Sequence, residues 1–105
     1  MAVDTKFLIA YRENLGAHPE LKNAYDALEK IETRELDFPF PHIDIYPWFV
    51  RIDSGVGLAE IDGDLVEIRP GTVIKIEPRT PHRIYPTGDG RIEGKRATAK
   101  ELSLV

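Results

Sequence analysis

Few residues in this 105-residue chain can do chemistry, and the absent types narrow the field first. There is no cysteine, which excludes a disulfide framework, a thiolate metal site and a cysteine nucleophile. The two serines, Ser54 and Ser103, stand in no nucleophile elbow. No glycine-rich phosphate loop precedes a predicted helix, and there is no P-loop lysine. What remains is a set of three histidines, His18, His42 and His82, among many carboxylates. His18 falls in a short connection and reads as a cap or an exposed loop residue. His82 is different, because the residues around it are built to place an imidazole.

The stretch Ile68 to Ile84 carries that placement. Pro70-Gly71 is a turn signal: Pro presets φ at the first central position and Gly accepts the positive φ of a type II turn. Val73 to Glu77 is short and β-branched, so it reads as a strand. Pro78-Arg79-Thr80-Pro81 ends that strand, since proline has no N–H to donate to a ladder. His82 then opens the next run, Arg83-Ile84-Tyr85. Turn, strand, proline-framed turn and histidine follow one another, and the imidazole lands at the start of a strand.

The elements that must position it follow from the rest of the chain. A length of 105 residues predicts one domain, spanning 1–105, with enough apolar residues for a single core. Before residue 36 the pattern is helical. Phe7, Leu8, Tyr11 and Leu15 recur at helical spacing between an Asp4 N-cap and Gly16 at a C-cap position. Pro19 suits the first position of a second helix, with Leu21, Ala24, Tyr25, Leu28 and Ile31 as its apolar stripe. From residue 36 to 105 the pattern is short strands with frequent turns. His42 to Ile45, Phe49 to Ile52, Leu58 to Ile61, Leu65 to Ile68, Arg83 to Tyr85 and the run from Thr98 to Leu104 read as strand. Asp62-Gly63 is the strongest hairpin signal, through its type I′ preference. The expected fold is mostly β: a small antiparallel β-barrel of the jelly-roll kind over 36–105, preceded by two N-terminal helices over 1–35.

The formal net charge of −4 argues against nucleic acid as a partner, which wants a basic face. No apolar run approaches membrane length and no signal-peptide pattern is present, so the expectation is a cytoplasmic protein with no membrane partner.

The order of Pro70, Gly71, Pro78, Pro81 and His82 resembles the second motif of the cupin superfamily, in which a Pro-x-x-Pro-His turn delivers a metal-binding histidine. The upstream half resembles the first cupin motif. His42 stands at the position of the first histidine of His-x-His, Asp44 at that of the second, Gly55 closes the motif, and Asp62-Gly63 is the hairpin after it. The glutamate of that motif is missing, since Tyr46, Pro47 and Trp48 occupy the places where it would fall, and the preceding glycine is absent too. The resemblance implies a cupin β-barrel, a divalent metal (Fe, Mn, Zn or Ni) and isomerase, epimerase or dioxygenase chemistry on a small polar molecule. It also implies a homodimer paired through its sheets.

The metal ligands carried over are His42, Asp44 and His82. On a strand, residues i and i+2 share a face about 6.6–7 Å apart, so His42 and Asp44 are able to look into one cavity. Two imidazoles and a carboxylate make a 2-His-1-carboxylate set, and zinc with an open water position suits the same donors. Each residue also has a plainer role available: His42 caps its strand, and Asp44 pairs with Arg51 or Arg83. Tyr46, Trp48 and Arg51 are the candidate substrate-binding residues. The aromatics serve equally as cavity wall or core, and Arg51 recognises a carboxylate or phosphate if it points inward but is a surface charge if outward. Three functional readings stay open: a small metal-dependent enzyme, a non-catalytic ligand-binding or sensing module favoured by the lost glutamate, and an assembly role for the N-terminal helices.

Overall fold

The computed structural model describes residues 6–36, 45–88 and 90–104. Among these residues eight strands form two antiparallel sheets. They are β1 (Phe7–Tyr11), β2 (Arg34–Glu35), β3 (Trp48–Ser54), β4 (Gly57–Ile61), β5 (Asp64–Ile68), β6 (Thr72–Ile76), β7 (His82–Pro86) and β8 (Glu93–Thr98). The larger sheet runs β1-β6-β3-β8-β2 and the smaller β5-β4-β7. The core lies between them: Val50 and Ile52 from β3, Ile74 and Ile76 from β6, Ala59 and Ile61 from β4, and Ile84 from β7 are all buried there. Among the described residues the sheets face one another as a sandwich and do not close into the expected barrel.

The larger sheet is covered on both faces. Alternate residues Phe49, Val73 and Ala97 point away from the inter-sheet core into a second buried cluster. There they meet Leu21 and Ala24 of helix α1 (Pro19–Ala27), Leu28 in the 3₁₀ turn that follows it, and Leu102 near the end of the described chain. Pro19 occupies the first turn of α1, as its missing N–H predicts.

The first expected helix is not there. Phe7 to Tyr11 form strand β1, paired antiparallel with β6 from Phe7↔Ile76 to Tyr11↔Thr72. The same side chains also satisfy a period of two: Phe7 and Ile9 pack on the inter-sheet core while Ala10 turns to the helix side. A lone helix of that length is marginal in water, whereas β6 offers a full ladder of backbone partners. Among the described residues of that segment only Arg12–Ala17 is helical, as a 3₁₀ segment, so the described residues hold one sizeable helix rather than two. The run to Leu104 is not strand either. β8 stops at Thr98, whose Oγ1 accepts from the Glu101 N–H (3.2 Å) while its own N–H donates to Glu101 Oε1 (3.0 Å). This local exchange turns the chain and drops Leu102 onto the second cluster.

The turns behave as their residues dictate. Asp62 and Gly63 both have positive φ, 50° and 89°, as a type I′ hairpin requires. Gly71 has φ 91° after Pro70, and the Thr72 N–H closes the turn on the Arg69 carbonyl at 3.0 Å. Gly94 is needed for a different reason: a Cβ there would lie 2.1 Å from the Arg51 carbonyl oxygen, at the bulge where β3 and β8 shift register.

Candidate functional site

His82 sits where the proline-framed turn delivers it. The turn bends through Arg79, whose φ of 61° is left-handed, and is tied to the β4–β5 hairpin by the Asp62 N–H donating to the Pro81 carbonyl (2.9 Å). Strand β7 then begins with His82 opposite Ile61 of β4. Ile61 and Ile84 both belong to the inter-sheet core, so His82 faces the same interior and is only 3% exposed.

The ring orientation is defined. Nδ1 of His82 lies 2.9 Å from the Thr80 carbonyl oxygen. A carbonyl only accepts, so Nδ1 carries the proton and, in the neutral ring, Nε2 holds the lone pair. An imidazole anchored through one nitrogen to a backbone carbonyl is the arrangement in which protein histidines present the other nitrogen to a metal. His42 and Asp44 lie outside the described residues. Among the described residues no three histidine or carboxylate side chains cluster closely enough to hold an ion.

The substrate-binding candidates separate. Trp48 opens β3 opposite Ile76, at the same end of the sandwich from which the chain runs on to His82, and it packs against the inter-sheet core. Tyr46 is half-buried, with the Lys100 ammonium 5.5 Å from its ring centroid. Arg51 points the other way, towards the helix. Its side chain is 8% exposed and donates to Glu29 Oε2 (2.7 Å) and Asp53 Oδ1 (2.9 Å), with its guanidinium 4.8 Å from the Tyr25 ring centroid. Burial pulls the Arg51 pKa down, but the hydrogen bonds to Glu29 and Asp53 outweigh it and the net direction is up. That guanidinium locks the helix to the sheet. Arg83, the other partner weighed for Asp44, pairs across strands with Glu60 (3.2 Å).

An arginine that does face inward is Arg96, for which the sequence suggested no role. It pairs with Val50 across β3 and β8, so it shares Val50's inner face, and its guanidinium stacks 4.4 Å from the Trp48 ring centroid. The signal was available in Gly94-Lys95-Arg96-Ala97-Thr98: Ala97 is small and apolar, so its neighbours belong on the opposite face.

No protein-family model and no curated protein matches the sequence. Solved structures do match in shape. A DUF861 family protein from Thermotoga maritima superposes with TM-score 0.62 at 16% identity, covering 88% of this chain and 98% of that one. A cupin protein from Bacteroides fragilis gives TM-score 0.55 at 19% identity, covering 94% of this chain and 81% of that one. A salicylate 1,2-dioxygenase from Pseudaminobacter salicylatoxidans gives 0.52 at 12% identity over 70% of this chain, which spans only 21% of the dioxygenase. The chain has the cupin fold. At these identities the likeness is one of fold, and no helix among the described residues is long and apolar enough to cross a membrane.

Proposed function

We propose that this cupin-fold chain is a small metal-dependent protein, with His82, His42 and Asp44 holding a divalent ion and the interior between the sheets receiving a small polar molecule. One observation carries the reading: a buried imidazole facing the interior, held by a backbone carbonyl through Nδ1 so that Nε2 bears the lone pair. The donor set fits iron(II), manganese, nickel or zinc, because two imidazoles and one carboxylate suit all of them and leave positions open. When bound, such an ion supplies Lewis-acid polarisation or an acidified water, the common ground of isomerase, epimerase and dioxygenase chemistry. The chain's own contribution is to fix the His82 ring, to exclude water with the surrounding isoleucines, and to present Trp48 and Arg96 on the interior face. A homodimer belongs to the same reading, with the outer strands β1 and β2 of the larger sheet and β5 and β7 of the smaller one, as the described residues show them, available to a second copy.

Elemental analysis of the purified protein and of His82→Ala tests it. The expected result is about one divalent ion per chain in the wild type and loss of that ion in the variant, with the amide spectrum otherwise retained. A wild type that takes up no divalent ion even after reconstitution overturns the metal-dependent reading in favour of a metal-free ligand-binding module.

A further inference from the structure

Among the described residues the two sheets end in four outer strands, and three of these are guarded against pairing with another chain. β2 is only Arg34-Glu35, both charged and exposed. β5 carries Asp64 and Glu67. At the ends of β7 the Asp62 N–H donates to the Pro81 carbonyl and the Thr87 N–H to the Val56 carbonyl, so its odd-numbered residues bond to β4 and its even-numbered ones face outwards. One of the outward residues is Pro86, which has no N–H to offer. β1 is different: Phe-Leu-Ile-Ala-Tyr contains neither charge nor proline. The parity of its ladder is fixed at both ends, where the Glu77 N–H donates to the Lys6 carbonyl (3.0 Å) and the Arg12 N–H to the Gly71 carbonyl (2.8 Å). Leu8 and Ala10 therefore bond to β6, and the N–H and C=O groups of Phe7, Ile9 and Tyr11 point away from it. No described residue offers those outward groups a hydrogen bond.

We propose that β1 is the seam of a homodimer, pairing antiparallel with β1 of a second copy about a two-fold axis at Ile9. The outward positions 7, 9 and 11 are symmetric about Ile9. A register with Ile9 opposite the partner's Ile9, and Phe7 opposite the partner's Tyr11, gives every outward N–H a carbonyl and every outward carbonyl an N–H. The side chains match themselves in the same register. Phe7 and Ile9 already pack on the inter-sheet core, and the seam sets isoleucine on isoleucine and one aromatic ring on another. On the opposite face Leu8, 39% exposed, comes beside the partner's Ala10. No charge falls within the paired span, and charges oppose one another only at its ends, where exposed Lys6 faces the partner's Arg12. That opposition, and a seam of five residues measured against the standard interface of about 800 Å² per partner, make the dimer a reversible one. The proposal rests on the homodimer of the reading above and deepens it by naming the edge and the register; it does not involve the metal.

Amide hydrogen exchange followed by NMR reads the parity directly, and sedimentation equilibrium of the same samples gives the dimer fraction. The Leu8 and Ala10 amides, bonded to β6, are expected to be protected at every protein concentration. The Phe7, Ile9 and Tyr11 amides are expected to gain about tenfold or more in protection as the protein is concentrated, in step with the dimer fraction. Leu8→Lys gives β1 the guard that the other edges have and sets a further cation beside the partner's Arg12, so it is expected to weaken the dimer about tenfold. Lys6→Glu turns the opposed cations at both ends into attractive pairs and is expected to tighten the dimer several-fold at low salt, a gain that a damaged fold would not give. A wild type that stays monomeric at all concentrations overturns the proposal and the homodimer reading together, and leaves the edge to a strand of some other protein. A dimer in which the three outward amides exchange as they do in the monomer, or which Lys6→Glu fails to tighten and Leu8→Lys fails to weaken, overturns the edge and register alone. Elemental analysis decides the metal-dependent reading independently of either result.

Discussion

Arg51 and Arg96 sit on adjacent strands, half-buried or deeper, and serve opposite faces of one sheet. On the helix side, Arg51 meets Glu29, Asp53 and the Tyr25 ring. Lys75 of β6, on the same face, pairs with Glu20 of the helix. Both cations bridge the sheet to carboxylates of the helical segment, and the face is a glued joint. On the inner face, Arg96 stacks on Trp48 and has Arg34 as a like-charged neighbour. The first arrangement stabilises the fold. The second sets a guanidinium and an indole together on the interior face.

The seam between the two arginines is the first place to break the comparison. Gly94→Ala puts a methyl 2.1 Å from the Arg51 carbonyl where β8 meets β3, and it is expected to cost about 3 kcal/mol or more by urea denaturation. Exchanging each arginine for methionine sharpens the contrast. Arg51→Met removes two charge-assisted hydrogen bonds and is expected to lose about 1–3 kcal/mol. Arg96→Met removes a guanidinium stacked on Trp48, and its expected loss is about 0.5–1 kcal/mol, smaller than that of Arg51→Met. Equal losses in the two variants would show that the faces are not functionally distinct.

The joint also has a pH signature. The hydrogen bond and charge of Arg51 hold the Glu29 carboxyl below its ordinary value of 4.5. A depressed folded-state pKa contributes stability that is present above the unfolded value and is lost as pH falls through the folded one. The gap in stability between wild type and Glu29→Gln is therefore expected at pH 7 and smaller at pH 3, in paired denaturant titrations. The smallest effect belongs to Lys22–Asp26 on the solvent side of α1, 2.6 Å apart and largely exposed: Asp26→Asn changes stability by a few tenths of a kcal/mol, about 0.3–0.5 at most.

The parts of the fold legible in the sequence were those in which one residue type dictates the backbone. Pro70-Gly71, Asp62-Gly63 and Pro19 each fixed a turn or a helix start, and all three stand as expected. The segment Phe7 to Tyr11 fits helical and strand periods equally, and only the presence of β6 beside it decides. Which arginine faces inward was illegible for a related reason. Facing depends on the register of β3 against β8, and a slip of one residue reverses it. His82 was legible because its orientation is built locally, by the proline-framed turn and the carbonyl of a residue two positions away.

That local construction is also what the functional account rests on, and histidine nitrogen NMR reads it directly. With three imidazoles in the chain, a long-range ¹H–¹⁵N spectrum resolves each ring. The account predicts that His82 is the Nδ1–H tautomer in metal-free protein and that zinc added to one equivalent moves its Nε2 resonance. A His82 ring protonated on Nε2, or one that zinc leaves untouched while the protein binds the ion elsewhere, would contradict it.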